Sequence, residues 1–338
     1  MANQYNVAVV GATGLVGQEF LKIAMQRGFP AKELRLLASH RSAGKKITVG
    51  EWELEVQETT SRSFKDIDIA FFSATTEVSA SLIPAAVKAG AIVIDDSAAW
   101  RMEENVPLVV PEVNAADLDA HEGIIAIPNC PTTPLCQVLW PMHVVNPIKR
   151  IVVDTYQSVS GAGASAVTEL NEQTRQVLDG NAISPHVFPH QIAFNVLPQV
   201  DVFLGSGYTK EEWKIINETR KIMHEPELAI SATAVRVPVY TGHCEAIHVE
   251  FTKPTTPEEF SRVVHDAPGI TIQDEPSVNV YPTPRSVAGK DDTYIGRIRQ
   301  DQSVESGIAF WLVSDNLRKG AALNAIQIAE ELIARKLV

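Results

Sequence analysis

Cysteine is scarce in this chain, long apolar runs are missing, and positive charge is in deficit. The three cysteines, Cys130, Cys136 and Cys244, cannot all pair with one another, and their spacing suits no zinc site. A reducing, cytoplasmic setting and no metal are therefore expected. No apolar stretch has the length that spans a bilayer. Met1–Tyr5 carries no basic segment leading into an apolar one, so neither a signal peptide nor a membrane partner is expected. Asp and Glu number 41 against 29 Lys and Arg, a formal charge of −12, which argues against nucleic acid. A small anionic substrate held by a few local cations stays open. What remains, 338 residues at 45% hydrophobic and 21% charged, suits a soluble globular protein of about two domains.

Asn6–Val10 reads as a buried strand. Gly11-Ala12-Thr13-Gly14-Leu15-Val16-Gly17 follows and opens an amphipathic helix to about Met25. Strand, glycine turn and helix are the start of a dinucleotide-binding βαβ unit, with the glycines in a GxxGxxG variant of the usual spacing. The second strand, Glu33–Ala38, runs into Ser39-His40-Arg41-Ser42-Ala43-Gly44-Lys45-Lys46. It lacks the acidic residue that would bond a ribose 2′-hydroxyl. Hydroxyls and cations stand there instead, and Ser39, Arg41 and Ser42 suit a 2′-phosphate, while Lys45 and Lys46 read as a solvated loop. Strands at Asp68–Phe72 and Ala91–Asp95, with a helix over Val78–Lys88 between them, predict a parallel, doubly wound sheet. Arg101 follows the carboxyl end of such a strand, the edge where ligands bind, although a surface arginine would look the same.

A second strand-to-helix corner falls at Ile127-Pro128-Asn129-Cys130-Pro131-Thr132-Thr133. It places Cys130 at the first turn of a helix, with Pro131 at the first helical position, where free N–H groups favour an anion such as a thiolate. Cys136 and Cys244 fall in helix-interior and strand contexts and read as packed thiols. Beyond Cys130 the pattern becomes mixed. A half-buried strand at Arg150–Val159 breaks at Ser160-Gly161-Ala162-Gly163, and helices follow at 165–178 and 209–224, separated by an irregular stretch over 181–208. Val235–Val239 and Glu245–Phe251 predict antiparallel strands, followed by strands near 294–299 and 307–313 and a long helix from Lys319 to Lys336. Glu218 and Lys221 share a helix face, as a surface ion pair would. Arg236-Val237-Pro238-Val239-Tyr240-Thr241-Gly242-His243 offers one permanent cation and one imidazole.

Over nearly its whole length the chain resembles the aspartate-semialdehyde dehydrogenase family. The likeness is carried by GATGLVG, ASHRSAGK, DDSAAWRM, PLVVPEVN, PNC, TYQSVSGAG, NETRKIM, RVPVYTGH and VSDNLRKGAALNAIQIAE. The resemblance implies an NADP-dependent enzyme that converts L-aspartyl 4-phosphate to the semialdehyde and phosphate, in lysine, methionine and threonine biosynthesis, and works as a homodimer. It implies Cys130 as nucleophile, His243 as general acid/base, and Gln157 as the residue orienting the acyl-enzyme. Arg236 would hold the substrate carboxylate, Glu218 its ammonium, and Arg101, Asn129 and Lys221 its phosphate. Ser39, Arg41 and Ser42 resemble the 2′-phosphate contacts. Gly11, Thr13, Gly14, Leu15, Val16, Thr75, Ser160, Gly161 and Asn316 resemble the remaining cofactor contacts. The fold implied is α/β, with a Rossmann-like dinucleotide-binding domain over 1–129 completed by a C-terminal helix at 318–338, and a mixed α+β catalytic and dimerisation domain over 130–317. Two alternatives are N-acetylglutamyl-phosphate reductase, which binds no free ammonium, and a non-catalytic NADPH-binding relative, which would not need both Cys130 and His243.

Overall fold

The computed structural model describes residues 4–338. Met1–Asn3, part of the stretch read above for a signal peptide, lie outside them. The chain divides into two units, Met1–Asn129 with Ala321–Val338, and Cys130–Gly320.

The first unit is built on β1 (Tyr5–Val10), α1 (Leu15–Gln26), β2 (Ala31–Ala38), β3 (Lys46–Val49), β4 (Trp52–Glu55), β5 (Gln57–Glu58), β6 (Ile69–Phe72), α2 (Thr76–Lys88), β7 (Ile92–Asp95), α3 (Pro111–Asn114) and β8 (Ile124–Ala126). Six strands pair in parallel in the order β5-β2-β1-β6-β7-β8. The alternation along β1 explains the layering. Val7 and Val9 join the core that holds Phe20, Leu21 and Ile23 of α1 and Ile326, Ile328 and Leu332 of the C-terminal helix, Leu323–Arg335. Ala8 and Val10 point the other way, into the core that holds Ile83 and Ala86 of α2. A strand buried on both faces must read as a continuous apolar run, and it does. The order reverses between β1 and β6, the switch point at which such sheets take ligands beyond the strands' carboxyl ends. The β3–β4 hairpin has no counterpart in the sequence reading, because its charged strands lack an apolar run.

The second unit contains α4 (Thr132–Val145), β9 (Ile148–Gln157), α5 (Ala164–Leu178), α6 (Lys210–Ile222), β10 (Ala229–Arg236), β11 (His243–Phe251), α7 (Pro257–His265), β12 (Ile270–Ile272), α8 (Pro284–Val287), β13 (Thr293–Asp301) and β14 (Gly307–Ser314). Its sheet runs β10-β9-β11-β14-β13-β12. Val235–Val239 and Glu245–Phe251, expected as antiparallel strands, do run in opposite directions in this sheet but are not neighbours. β9 lies between them, and β10 pairs parallel to β9 and stops at Arg236. Pro238 has no N–H with which to extend the ladder. On β11, His243, Glu245, Ile247, Val249 and Phe251 are buried, while Ala246, His248 and Glu250 are half-buried on the opposite face. The helix expected from Lys319 begins later. Arg318–Ala322 forms a wider π turn, and regular α-helix starts at Leu323.

Candidate active site

In the first unit the nucleotide turn is built from close backbone approaches. Gly11 follows β1 with a φ of +83°, and a Cβ there would come within 2.0 Å of the carbonyl oxygen of Ser73, just past β6. A Cβ on Gly17 would lie 2.3 Å from the carbonyl oxygen of Gly11. Only glycine fits either position. Gly14 starts α1 with no side-chain cap and no acid in the first turn; its own N–H donates to the Gly11 carbonyl at 2.9 Å, and the N–H groups of Thr13, Leu15 and Val16 suit an anion. This cradle fits the pyrophosphate of a dinucleotide. Ser39, Arg41 and Ser42 follow β2 on a single 3-10 turn, His40–Ser42, with Ser39 and Arg41 exposed and no acid at the strand end. Thr75 caps α2, its hydroxyl accepting from the Val78 N–H. Arg101 is not a surface residue: it is 6% exposed, and its Nη2 donates to the Asp96 carbonyl at 2.8 Å. The loop before it is pinned by buried Asp95, which accepts from Ser79 Oγ at 2.9 Å and Ser97 Oγ at 2.6 Å. Burial raises the Asp95 pKa, and the hydrogen bonds from Ser97 and Ser79 oppose the rise. Asn129, also buried, closes the unit.

In the second unit the sheet brings the chemistry to one end. β9 and β10 end together, with Arg236 opposite Gln157, and His243 begins β11 opposite Ser314 at the end of β14. Strand direction places their termini at the same edge. Cys130 lies one residue before Pro131, which is the N-cap of α4 and not its first helical residue, a shift within the fraying of any helix start. The sulfur still precedes the open end of a helix.

Cys130 is half-buried, whereas Cys136 and Cys244 are buried. Burial pushes the Cys136 thiol far up and that of Cys244 up to about 12, so neither supplies a thiolate at neutral pH. Arg236 is buried, stacks over the Phe188 ring at 5.9 Å, and donates from Nη1 to the Ser158 carbonyl at 2.7 Å. Burial lowers its pKa, and the negative charges of Glu211 and of a Cys130 thiolate act against that. The Gln157 amide is held at both ends, donating from Nε2 to Glu211 at 2.9 Å and accepting from Thr155 Oγ1 at 3.0 Å. Glu218 is 1% exposed on α6, which overturns the surface ion-pair reading, while Lys221 is half-buried one turn on. His243 is 1% exposed, and its Nδ1 accepts from the Ser158 N–H at 3.1 Å. Burial, and then the Arg236 charge, push its pKa down to about 3, so the ring is neutral. Asn316 Oδ1 accepts from the Gly242 N–H at 2.9 Å, and its Nδ2 donates to Ser160 Oγ at 3.0 Å. A Cβ on Gly161 would stand 3.0 Å from Arg236 Nη1 and 3.2 Å from His243 Nε2, so this glycine keeps the edge of the site open.

Three residues of this neighbourhood escaped the sequence reading. Gly320, in the π turn, faces Cys130: a Cβ there would lie 3.0 Å from both the Cβ and the carbonyl oxygen of Cys130. In sequence it looks like an ordinary helix residue. Glu211 anchors Gln157 and pairs with Lys214 at 2.7 Å. Ser158 holds His243 through its main chain, a contact that no side-chain pattern encodes.

Comparison with known proteins adds an independent line. Residues 6–121 match the family model described as semialdehyde dehydrogenase, NAD binding domain, and residues 139–319 the model described as semialdehyde dehydrogenase, dimerisation domain. The aspartate-semialdehyde dehydrogenase of Bacillus subtilis (strain 168) is 50% identical over 346 residues, covering 100% of both chains. That of Aquifex aeolicus (strain VF5) is 50% identical over 338 residues, 99% of each chain. The crystal structure of aspartate semialdehyde dehydrogenase II from Vibrio cholerae complexed with ASA superposes with a TM-score of 0.96 at 43% identity, covering 98% of this chain and 99% of that one. The enzyme from Candida albicans with NADP has a TM-score of 0.77 at 26% identity, over 99% of this chain and 100% of that one.

Proposed function

The chain belongs to the aspartate-semialdehyde dehydrogenase family, and from that premise we propose how its residues divide the reaction. The family's enzymes carry out the reductive dephosphorylation of L-aspartyl 4-phosphate to the 4-semialdehyde with a nicotinamide cofactor, on the route to lysine, methionine and threonine. N-acetylglutamyl-phosphate reductase, the alternative, would leave buried Glu218 without an ammonium to bind.

Cys130 is the nucleophile. Its thiolate attacks the acyl carbon, phosphate departs, and a thioester remains. Gln157, clamped by Glu211 and Thr155, holds the acyl group in place. His243 is the general acid/base that manages the proton as the hemithioacetal collapses and the thiolate leaves. Arg236 grips the α-carboxylate with a fork that a lysine cannot copy, and Glu218 takes the ammonium. Arg101, Asn129 and Lys221 serve the phosphate. The nicotinamide supplies the hydride that reduces the thioester. Gly11, Thr13, Gly14, Leu15 and Val16 cradle its pyrophosphate, with Thr75, Ser160, Gly161 and Asn316 as further contacts. The turn at Ser39, Arg41 and Ser42 favours NADP over NAD. A homodimer is proposed on the dimerisation-domain match, and a cytoplasmic setting on the three free cysteines.

The observation that carries this assignment is the convergence of Gln157, Arg236 and His243 at one sheet edge, with a Cys130 thiolate among the charges that favour the Arg236 cation. Cys130→Ser tests it. Phosphate-dependent oxidation of the semialdehyde with NADP should fall by about three orders of magnitude or more, while NADPH binding persists. In the unmodified enzyme, iodoacetamide should label Cys130 ahead of Cys136 and Cys244. Undiminished turnover by the serine variant would remove the covalent step.

A further inference from the structure

The two ends of a glutamine amide have the same shape, so the neighbours of Gln157 decide which way round it sits. Thr155 Oγ1 donates to Oε1 at 3.0 Å, but a hydroxyl can equally accept, so this contact alone tolerates either sense. Glu211 does not. An ionised carboxylate only accepts, and Glu211 Oε1 takes an Nε2 hydrogen at 2.9 Å. Two features keep Glu211 ionised. Lys214 Nζ holds its other oxygen, Oε2, at 2.7 Å, and Glu211 lies in the first turn of α6, where free N–H groups favour a negative charge. That charge also acts on Arg236, which stands beside Gln157 in the sheet.

The start of α6 is fastened without help from Glu211. Thr209 and Glu212 complete the capping box, and Glu212 Oε1 accepts from the Ala234 N–H of β10 at 2.9 Å. Glu211 is therefore spare to the cap, yet it is buried, and burying a carboxylate costs free energy unless it is paired. Lys214 supplies the pair and carries the chain of charges outward to Asp201, whose Oδ2 lies 3.1 Å from Nζ. We propose that Glu211 is a positioning residue for the acyl site: it fixes the sense of the Gln157 amide, with Oε1 toward Thr155 and the second Nε2 hydrogen left for the acyl oxygen, while Lys214 keeps it charged for that task. This rests on the reading of Gln157 as the residue that orients the acyl-enzyme.

The Lys214 ammonium makes replacement by glutamine informative. Nζ would draw the amide oxygen of the new side chain and leave its NH2 group facing Gln157. Two NH2 groups cannot bond each other, so Gln157 would turn over to offer Oε1, and its hydrogens would leave the acyl group. Lys214 would keep Asp201, so no lone buried cation is created. Glu211→Asp asks a different question. The charge, the helix position and the reach to Lys214 along the helix persist, but the carboxylate withdraws from Gln157 by one carbon–carbon bond. A residue that served only as half of an ion pair would tolerate that change, and one that holds Gln157 would not.

The test is steady-state kinetics of the full-length enzyme in the phosphate-dependent oxidation of the semialdehyde with NADP. Glu211→Gln should lower kcat by about ten- to a hundredfold, the loss of one charge-assisted hydrogen bond, with KM for the semialdehyde changed by less than about threefold because Arg236 and Glu218 still hold the substrate. Glu211→Asp should lower kcat by about tenfold. Gln157→Ala should lower it as well, and adding Glu211→Gln to that variant should cost less than about twofold more, since no amide is left to orient. The same cycle run with Glu211→Asp decides the matter if the glutamine variant does not fold. An equal loss from the Glu211 change with and without Gln157, an unchanged kcat in either Glu211 variant, or a loss confined to KM would each overturn the proposal. Full turnover by Gln157→Ala would instead overturn the reading of Gln157, whatever Glu211 does.

Discussion

Replacing Glu245 with glutamine should stabilise the protein, and the gain should grow with pH. Glu245 lies within β11 between Thr155 of β9 and Leu312 of β14, at 0% exposure. Neither carboxyl oxygen has a hydrogen-bond partner among the described residues, and burial raises its pKa well above 4.5. The folded protein therefore holds the neutral acid. Below pH 4.5 the unfolded chain is protonated too, and no ionisation penalty is added to the cost of burying the neutral group. Above that, the unfolded chain releases the proton while the folded one keeps it, so stability falls as pH rises toward the folded pKa. Each pH unit in that window costs about 1.4 kcal/mol. The loss therefore accumulates over the pH range between the unfolded and the raised folded pKa, against the roughly 5–15 kcal/mol that stabilises a typical protein. Glutamine has nearly the same shape and no proton to lose. Urea unfolding of both proteins at about pH 5.5 and about pH 7.5, at fixed concentration, measures the difference. The advantage of Glu245→Gln should be greater at the higher pH, by at most about 1.4 kcal/mol for each pH unit between the two pKa values. An advantage independent of pH, or largest in acid, would mean that Glu245 is ionised in the fold and would refute the reasoning.

Arg41→Ala should raise KM for NADPH by about tenfold or more and leave that for NADH nearly unchanged, since only the 2′-phosphate loses a partner; equal effects would place Arg41 elsewhere. Glu218→Ala should lower kcat/KM for aspartyl phosphate more than for a des-amino analogue, and matched kinetic runs decide whether the carboxylate meets an ammonium. Gly320→Ala should push a methyl against Cys130, slow alkylation of that sulfur and reduce kcat by about tenfold with cofactor binding preserved. Unchanged alkylation kinetics would show that the π turn yields without moving the cysteine.

Local chemistry carried much of this protein in plain view. The apolar run of β1, the glycine turn into α1 and the missing acid after β2 are properties of short segments, because burial on both faces, close backbone approach and anion binding each demand particular residue types within a few positions. Cys130 was legible for the same reason: a cysteine between Asn129 and Pro131 at a strand-to-helix corner sits where helix N–H groups are free. Tertiary structure alone decided the rest. Spacing made Glu218 look like a surface charge and left Arg101 open between a ligand-edge and a surface residue, and only folding buried them. β10 and β11 are neighbours in sequence, yet β9 entered between them, because sheet order depends on contacts far apart along the chain. Gly320 lies 190 positions from Cys130 and meets it only because the chain widens into a π turn there. The Ser158 main-chain N–H that meets His243 Nδ1 has no residue signature at all: every amino acid except proline carries that N–H, and only three-dimensional placement aims it at one nitrogen of the ring.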